Sequence, residues 1–275
     1  MTERTRLAVL GSPIAHSKSP AIHRAAYDVL GLDWTYEAVE VTGFELAHYL
    51  ASRDEEWRGL SLTMPLKRDV VALLTWSDPL VALVHGANTV VLSDDEVRGY
   101  NTDVRGITNA FAEAGVYSLA SVQVLGAGAT AASVLVAVAR LGAESVAFSA
   151  RTPEKARALE ELGASLAVDV TVRPWGIQDR SLIIPDAIIS TVPGGSNDLE
   201  FAEEVRQSAV LFDVAYDPWP SALATAWSSV GGTVISGYDL LVHQAIGQVR
   251  VFLTGDAEQA LPNESRVLDA MRAAL

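Results

Sequence analysis

The stretch from residue 121 to residue 140 constrains the fold more than any other, because it joins a buried strand, a glycine turn and a helix. Val122–Leu125 is an apolar run of strand length, and the residues after the turn are rich in Ala, Val and Leu. The turn itself consists of Gly126, Ala127, Gly128, Ala129 and Thr130. Gly126 can adopt backbone angles closed to other residues, Gly128 lets the chain approach a phosphate, and the helix start offers free N–H groups. This order predicts a dinucleotide-binding turn, although a plain turn from strand to helix would also suit these glycines.

The composition excludes several classes of protein. The chain has 275 residues, enough for two domains, of which 49% are hydrophobic and 20% charged, as in folded globular proteins. A net charge of −14 argues against a general nucleic-acid-binding surface, and the absence of cysteine excludes disulfides, thiolate metal sites and a cysteine nucleophile. The polar start, and the lack of any apolar run near the ~20 residues of a membrane span, predict a cytoplasmic protein without signal peptide or membrane segment.

From residue 121 onward, short apolar runs alternate regularly with helical patterns. The predicted strands are 122–125, 145–149, 166–170, 186–190, 210–213 and 233–235. The predicted helices are 129–141, 153–162, 199–207 and 221–230. Strands that alternate with helices indicate a doubly wound parallel sheet, and ligands of such sheets bind at the carboxyl ends of the strands.

The first hundred residues predict a smaller α/β domain of about five strands. Its strands are predicted at 7–10, 34–41, 58–64 and in a hairpin, 86–92 with 97–101. Its helices are predicted at 21–30, 44–51, 66–74 and 104–114, and two more helices, 238–252 and 264–274, end the chain. No linker is marked by its composition. The domain boundaries near residues 104 and 237 are therefore inferred only from the change in how strands and helices alternate along the chain.

Four polar residues in this first part of the chain can have either a structural role or a binding or catalytic role. Ser17 and Ser19 precede the start of a helix, where serine hydroxyls either cap the helix or hold a carboxylate or phosphate. Lys67 lies in the first turn of a predicted helix, an unusual place for a cation because the helix dipole is positive there. Asp103 either caps the next helix or presents its carboxylate at the end of a strand.

The strand end at residue 150 bears on the choice of dinucleotide. An acid about 20 residues after the glycines would bind the ribose 2′-hydroxyl of NAD, and no acid stands there. Arg151, Thr152 and Lys155 suit the 2′-phosphate of NADP instead, unless they form only a basic start to a surface helix. Two further loops, Ser190–Ser196 and Val214–Pro218, follow predicted strands at the same edge of the sheet.

Other catalytic patterns are missing from the sequence. The five histidines show neither zinc spacing nor an H-E-x-x-H motif, so no metal site is expected. There is no G-x-S-x-G elbow for a hydrolase triad and no Walker sequence for a kinase or ATPase.

Four motifs precede the glycine turn in the chain. They are Ser17-Lys18-Ser19-Pro20, Leu62-Thr63-Met64-Pro65-Leu66-Lys67, Ala87-Asn88-Thr89 and Asn101-Thr102-Asp103. Together they resemble the motifs of the shikimate dehydrogenase family, and the resemblance covers essentially the whole chain. It implies an α/β fold with an amino-terminal substrate domain, residues 1–104 completed by helices within 238–275, and a Rossmann-like NADP-binding domain, residues 105–237. It also implies an NADP-dependent oxidoreductase that reduces 3-dehydroshikimate to shikimate in chorismate and aromatic amino-acid biosynthesis.

The resemblance implies roles for individual residues as well. Lys67 and Asp103 resemble the catalytic pair. The substrate contacts would be Ser17, Ser19, Thr63, Asn88, Asp103, Tyr216 and Gln244. The contacts to NADP(H) would be Gly126, Ala127, Gly128, Ala129, Thr130, Ala150, Arg151, Thr152, Lys155, Thr191, Val192 and Gly237. No metal is needed for this chemistry, because a lysine ammonium can protonate the carbonyl oxygen while a neighbouring carboxylate orients the ammonium.

The chain departs from the family pattern on the substrate side, in the basic motif and in the glycine turn, which reads Gly-Ala-Gly-Ala-Thr where the family often has a third Gly. Ser61 stands where the family commonly has an Asn, which leaves one contact on the substrate side open. Ala150 replaces the usual Asn of the basic motif and Lys155 its second Arg, which leaves open how strongly NADP is preferred over NAD.

Three alternatives to this interpretation differ in what they require. A quinate/shikimate or aminoshikimate dehydrogenase of broader specificity is the alternative within the same chemistry. A methylenetetrahydrofolate dehydrogenase would keep the glycine turn but not Ser17, Ser19 and the Asn-Thr-Asp motif, and an NADP-binding regulatory module would not need Lys67 and Asp103. The expected partner is a small-molecule substrate, bound by a monomer or homodimer.

Overall fold

The structure, a computed structural model, describes residues 5–93, 95–176, 184–193 and 199–275, except for the side chain of Lys155. Residue 94 of the predicted hairpin turn and residues 194–196 of the predicted loop after residue 190 lie outside these ranges. The described chain divides into two compact units. Unit 1 contains Met1–Gly106 and Leu241–Leu275, and unit 2 contains Ile107–Leu240.

Unit 1 is built on a mixed six-stranded sheet. Its strands are β1 (Arg6–Gly11), β2 (Thr35–Glu40), β3 (Trp57–Leu62), β4 (Trp76–Ser77), β5 (Thr89–Leu92) and β6 (Val97–Tyr100). They follow the order β2-β1-β3-β5-β6-β4, in which β1 pairs in parallel with both β2 and β3. Strands β5 and β6 form the predicted antiparallel hairpin.

Four short helices of unit 1 connect these strands. They are α1 (Ser19–Leu30), α2 (Gly43–Ala51), α3 (Leu66–Asp69) and α4 (Pro79–Val84). The core below them is aliphatic, with Leu10, Leu46, Leu60 and Leu66 each fully buried. The chain then enters α5 (Asp103–Glu113), inside which unit 2 begins.

Unit 2 contains the predicted doubly wound parallel sheet. Its strands are β7 (Ser121–Leu125), β8 (Ser145–Ala150), β9 (Asp169–Pro174), β10 (Ala187–Ser190), β11 (Val210–Asp213) and β12 (Val234–Ser236). Its helices are α6 (Ala129–Arg140), α7 (Arg157–Ser165), α8 (Glu203–Ser208) and α9 (Ala222–Ser228). The strand order is β12-β11-β10-β7-β8-β9 and every pair is parallel, so the carboxyl ends of all these strands meet at one edge.

The last two helices return the chain to unit 1. Helix α10 (Gly237–Thr254) begins in unit 2 and continues into unit 1, and α11 (Glu264–Ala273) packs against α1. Arg250 of α10 donates from Nε and Nη2 to the Glu264 carboxylate at 2.8 and 2.5 Å, which ties α10 to α11. None of the described helices is long and apolar enough to cross a membrane.

Several predicted element boundaries were wrong, for local reasons. The strand predicted at 166–170 lies at Asp169–Pro174, because α7 continues to Ser165 and Ala167 turns the chain with a φ of 57°. The helix predicted at 199–207 begins only at Glu203. The helices predicted at 66–74 and 153–162 each contain a 3₁₀ turn, at Val70–Leu73 and Pro153–Ala156.

Strand β4 and helix α4 were not predicted at all. Asp78 separates them, and its Oδ1 accepts the N–H of Val81 at 2.7 Å as the N-cap of α4. A two-residue strand is too short to show an alternating pattern, so pairing with β6 rather than sequence defines it.

Candidate active site

Lys67 and Asp103 form a close ion pair in unit 1. The Lys67 Nζ donates to Asp103 Oδ2 at 2.6 Å, and their side chains are only 15% and 4% exposed. Lys67 lies in α3, where the carbonyl oxygen of its own peptide accepts the N–H of Ala87 at 2.8 Å. The tertiary fold therefore joins two residues that lie 36 positions apart in the chain.

Asp103 is the first residue of α5, and it does not cap that helix. The side chain of Asn101 makes the capping contact, since its Oδ1 accepts the N–H of Val104 at 3.2 Å. Asn101 also donates from Nδ2 to the carbonyl of Gly86 at 2.9 Å, and its own N–H is bound by the Asp78 carboxylate at 3.1 Å. Because Asn101 supplies the cap, both oxygens of Asp103 are available to other side chains.

Asn88 is the third member of this cluster, and it is 1% exposed. Its Nδ2 donates to Asp103 Oδ1 at 2.8 Å and lies 2.9 Å from Thr102 Oγ1. Its Oδ1 accepts the N–H of Thr102 at 2.9 Å and the hydroxyl of Thr89 at 3.0 Å. One carboxylate oxygen of Asp103 thus accepts from the Asn88 amide, and the other accepts from the Lys67 ammonium.

Two glutamines of α10 reach the same cluster from one helix face. Gln244 Oε1 lies 3.3 Å from Asn88 Nδ2, and its own amide donates to the carbonyl of Leu241 at 2.9 Å. Gln248 donates from Nε2 to the backbone carbonyl of Asn88 at 3.0 Å. Gln244 is a predicted site residue, whereas Gln248 is not.

Ser17 and Ser19 lie at the start of α1, but neither is its N-cap. Lys18 occupies that position without a side-chain capping bond, so the capping interpretation of the serines was wrong. Ser17 Oγ accepts the N–H of Ser19 at 3.3 Å, and Ser19 is buried.

Thr63 follows β3 beside the segment that leads to these serines. Its N–H donates to the carbonyl of Leu10 at 2.9 Å. A Cβ on Gly11 would lie 2.4 Å from Thr63 Cγ2, so only glycine allows this close approach. The loop after β1 and the loop after β3 are therefore adjacent.

The glycine turn of unit 2 has the geometry that the sequence predicts. Gly126 has a φ of 102°, a left-handed value that favours glycine, and its N–H donates to the carbonyl of Ser149 at 2.8 Å. Gly128 is the N-cap of α6 and is exposed, and among the described residues no atom beyond its chain neighbours lies within 4 Å of the point where a Cβ would stand. Ala127 completes the turn, and Ala129 and Thr130 open the helix. The free space over Gly128, beside a helix N-terminus, fits a diphosphate.

Two neighbouring strand ends complete this edge of unit 2. Ala150 ends β8 as a buried residue, and Arg151 and Thr152 follow it with exposed side chains. Lys155 lies in the 3₁₀ turn Pro153–Ala156, and its side chain lies outside the described structure. After β10, Thr191 donates from Oγ1 to the carbonyl of Leu125 at 3.0 Å.

Thr191 also packs against the glycine turn. A Cβ on Gly126 would lie 2.6 Å from Thr191 Oγ1 and 3.2 Å from the buried Val192. The structure therefore brings the predicted residues after β7, β8 and β10 to the same edge of one sheet.

Tyr216 and Gly237 also belong to unit 2. Tyr216 follows β11 and its ring centroid lies 5.5 Å from that of Tyr238; burial raises the pKa of Tyr216 above its usual value. Gly237 is the first residue of α10. A hydrogen bond joins the two ends of the loop that carries Tyr216: Ser221 donates to the buried carboxylate of Asp213 at 2.5 Å.

A cavity of about 330 Å³ in unit 2 contains none of the predicted site residues. It is lined by the first three residues of β7 and of β8, by alternate residues of β9 from Asp169 to Arg173, and by residues 184–185, 200–202 and 205. These strand starts lie at the opposite end of the strands from the glycine turn.

The most important residue that sequence reasoning missed is Gln248. It stands four positions after Gln244 on α10, so both side chains lie on one helix face. Two glutamines at this spacing, each between apolar stretches of α10, are the signal that could have found it.

These features define a class of protein: an α/β oxidoreductase with a Rossmann-type nucleotide-binding sheet and a second unit that carries a Lys–Asp–Asn cluster. A family profile described as "Shikimate dehydrogenase substrate binding domain" matches residues 9–90. A shikimate dehydrogenase (NADP⁺) from Methanosarcina acetivorans is 32% identical over 276 residues, which cover 96% of this chain and 98% of that protein. The chain therefore belongs to the shikimate dehydrogenase family, which confirms the resemblance seen in the motifs.

Solved structures of the family agree with the fold. Shikimate dehydrogenase from Mycobacterium tuberculosis has a TM-score of 0.82 and 36% identity, and the alignment covers 98% of this chain and 99% of that one. Shikimate 5-dehydrogenase from Thermus thermophilus, solved in complex with NADP(H) and shikimate, has a TM-score of 0.82 and 29% identity over 98% of this chain and 100% of that one. The predicted fold class is confirmed.

Proposed function

We propose that this protein is an NADP-dependent shikimate dehydrogenase, which reversibly reduces 3-dehydroshikimate to shikimate in chorismate and aromatic amino-acid biosynthesis. The observation that carries the proposal is the 2.6 Å contact between Lys67 Nζ and Asp103 Oδ2 in a chain of this family. Lys67 and Asp103 are the catalytic pair of the proposal. Reduction of a ketone consumes one hydride and one proton, and this pair supplies the proton.

The two units have different roles in this proposal. Unit 1 binds the substrate, which is consistent with the substrate-binding profile that matches residues 9–90. Six of the residues proposed to contact the substrate belong to unit 1, namely Ser17, Ser19, Thr63, Asn88, Asp103 and Gln244, and the seventh, Tyr216, belongs to unit 2. A polyhydroxylated cyclic acid requires an anion-binding group and several neutral hydrogen-bonding groups, which these hydroxyls and amides provide.

Unit 2 binds the nucleotide in this proposal. When bound, NADPH supplies the hydride that reaches the substrate carbon. The open space at Gly128 leaves room for the diphosphate at the N-terminus of α6, and Gly126 lets Thr191 and Val192 pack against the same turn. Arg151 and Thr152, with Lys155 nearby in the chain, bind the 2′-phosphate through charge-assisted hydrogen bonds.

The geometry of the cluster supports the proposed proton transfer. The Lys67 ammonium carries three protons, of which one points at Asp103 Oδ2. The others can reach the carbonyl oxygen of the substrate, where the ammonium stabilises the developing alkoxide and donates its proton. Asn88 holds the other carboxylate oxygen, so Asp103 keeps the ammonium in place.

The test of the proposed function is a steady-state comparison of two substrates and two cofactors. The purified protein is mixed with shikimate or quinate and with NADP⁺ or NAD⁺, and the reduced nicotinamide is measured by absorbance. We expect the highest kcat/KM for shikimate with NADP⁺. A protein that turns over neither acid contradicts the proposal, and higher kcat/KM for quinate identifies the broader-specificity enzyme instead.

The cellular location and the assembly state of the enzyme are part of the same proposal. We place it in the cytoplasm, where NADPH and the soluble intermediates of this pathway occur, as a monomer or homodimer with a small-molecule substrate as its partner. Light scattering after size exclusion measures the mass against the 29.2 kDa of one chain. A mass of three or more chains would contradict this assembly state.

A further inference from the structure

A continuous set of buried hydrogen bonds lies behind the catalytic cluster of unit 1. Tyr36 and Ser61 are joined by a hydroxyl contact of 2.6 Å, and Ser61 lies 2.8 Å from Gln248 Oε1. His23 Nε2 lies 3.1 Å from the same oxygen, and Gln248 Nε2 lies 3.0 Å from the carbonyl oxygen of Asn88. Tyr36, Ser61, His23 and Gln248 are each between 0% and 4% exposed.

Which group donates and which accepts in each of these hydrogen bonds follows from one acceptor, the backbone carbonyl of Asn88. A backbone carbonyl can only accept, so the NH₂ of Gln248 faces Asn88 and its Oε1 faces Ser61 and His23. Ser61 therefore donates its single proton to Gln248, and the Tyr36 hydroxyl must donate to Ser61. His23 carries its proton on Nε2, and its Nδ1 accepts from the Tyr27 hydroxyl at 3.2 Å.

The electrostatics of the buried groups agree with these directions. Burial lowers the pKa of His23 to about 3, against the opposing effect of its bond to Gln248, so the ring is neutral. Burial raises the pKa of Tyr36 well above its usual value, so its hydroxyl keeps the proton that it donates. The Gln248 amide has a single orientation, because a flipped amide would place its Oε1 against the carbonyl oxygen of Asn88, which can only accept.

These hydrogen bonds define a role for Ser61 that the sequence left open. Where the family commonly has an Asn, the Ser61 hydroxyl accepts from one buried partner and donates to another. Tyr36 also interacts with the side chain of Ser19, so the set extends toward the start of α1.

We propose that Gln248 is a positioning residue for the reduction of 3-dehydroshikimate, because it holds Asn88, and through Asn88 the Asp103 carboxylate, in place. This inference rests on the proposed function. The backbone of Asn88 is held by Gln248 and by the N–H of Leu62 at 2.8 Å, and its side chain then binds Asp103 Oδ1 and the N–H of Thr102. Ser61 and His23 act one step further away, by fixing the orientation of the Gln248 amide.

The test is a double-mutant cycle on kcat for shikimate oxidation. Gln248→Met keeps the length of the side chain and removes both hydrogen-bonding groups, so kcat should fall on the order of tenfold, the equivalent of one lost hydrogen bond. The KM for NADP⁺ should stay within about twofold, because the change lies in unit 1. In an Asn88→Ala background the same substitution should lower kcat by less than about twofold, since the positioned residue is already lost.

Two controls separate positioning from a general loss of stability. Val249→Ala removes buried methyl groups from the same helix without touching the hydrogen bonds, and its kcat should stay within about twofold of wild type. If Gln248→Met does not fold, Ser61→Ala removes only the hydroxyl that orients the amide, and kcat should fall at least about threefold.

The outcomes that overturn the inference are distinct from failure of the proposed function. A wild-type protein that does not oxidise shikimate refutes the proposed function. An active wild type with unchanged kcat in Gln248→Met refutes the positioning role alone, as does an unchanged kcat in Ser61→Ala. Equal losses with and without Asn88 also refute it.

Discussion

The ammonium of Lys67 lies 2.6 Å from Asp103 Oδ2, while the other oxygen of the carboxylate accepts from the Asn88 amide at 2.8 Å. Two different donors therefore hold one nearly buried carboxylate. Such an arrangement fixes the position of the lysine ammonium, which is what a positioned proton donor requires.

Removal of the ammonium should abolish most of the activity. Lys67→Met keeps the aliphatic stem, and Asp103 retains its bond to Asn88, so the protein should fold and bind NADPH. We expect kcat to drop by ~100- to 10,000-fold, the usual contribution of a positioned general acid or base. Substrate affinity should change much less, because the loss belongs to the transition state.

The second member of the pair is tested by the same assay. Asp103→Asn should also lower kcat, and the double variant should be far from additive if the residues act as a unit. NADPH fluorescence titration confirms that each variant is folded. A Lys67→Met protein that binds both ligands and turns over at the wild-type rate would refute the assignment.

Arg151 should determine the preference for NADP. Arg151→Ala removes a charge-assisted contact to the 2′-phosphate, so the KM for NADP⁺ should rise on the order of tenfold to a few hundredfold. The KM for NAD⁺ should hardly change. Arg140→Ala is the matched control, because it removes an exposed arginine at the other end of α6. Equal losses with NADP⁺ and NAD⁺ would show that Arg151 does not contact the phosphate.

Ser17 and Ser19 should bind the substrate carboxylate. Changing both to Ala should weaken shikimate binding by roughly 1–3 kcal/mol, the usual cost of lost hydrogen bonds to a charged group. The free energy of unfolding should fall by only about 1–2 kcal/mol, the usual net contribution of two hydrogen bonds, because Ser17 binds the Ser19 N–H and Ser19 interacts with Tyr36. Ser52→Ala, which removes an exposed hydroxyl at the C-cap of α2, serves as control. A large loss of stability with unchanged shikimate affinity would identify the pair as purely structural.

His23 should make the protein sensitive to acid. Its pKa is about 3 when folded and 6.5 in the reference state, so below pH 6.5 the unfolded chain binds a proton that the folded chain does not. The free energy of unfolding should therefore fall by about 1.4 kcal/mol per pH unit as the pH drops from 6.5 toward 3. The neighbouring Tyr27 and Tyr36 have raised pKa values and do not titrate in this range.

The measurement is urea unfolding of wild type and His23→Gln at pH 6.5 and pH 4.5. Over these two units the wild type should lose about 2.3 kcal/mol more than the variant, because glutamine does not titrate. His48→Gln, at an exposed position of α2, should retain the wild-type dependence. Identical pH dependence of wild type and His23→Gln would show that His23 is not buried in its neutral form.

The sequence by itself determined the parallel sheet of unit 2 and the glycine turn at its edge. Strand and helix periods are local properties, and Gly126 has the left-handed backbone angle that its position in the turn predicts. Boundaries were less reliable: β9 begins at Asp169, after the left-handed Ala167, and β4 exists only because it pairs with β6. The four motifs also identified the family before any geometry was known.

Only the tertiary structure decided which side chains meet. Gln248 binds Asn88, Ser61 and His23 across 160, 187 and 225 positions of the chain, distances at which no local pattern carries information. Whether Asp103 caps α5 or binds Lys67 depended on Asn101, whose side chain makes the capping contact. Hydrogen bonds between distant side chains depend on where the packed backbone places them, so folding rather than the local sequence completes the cluster.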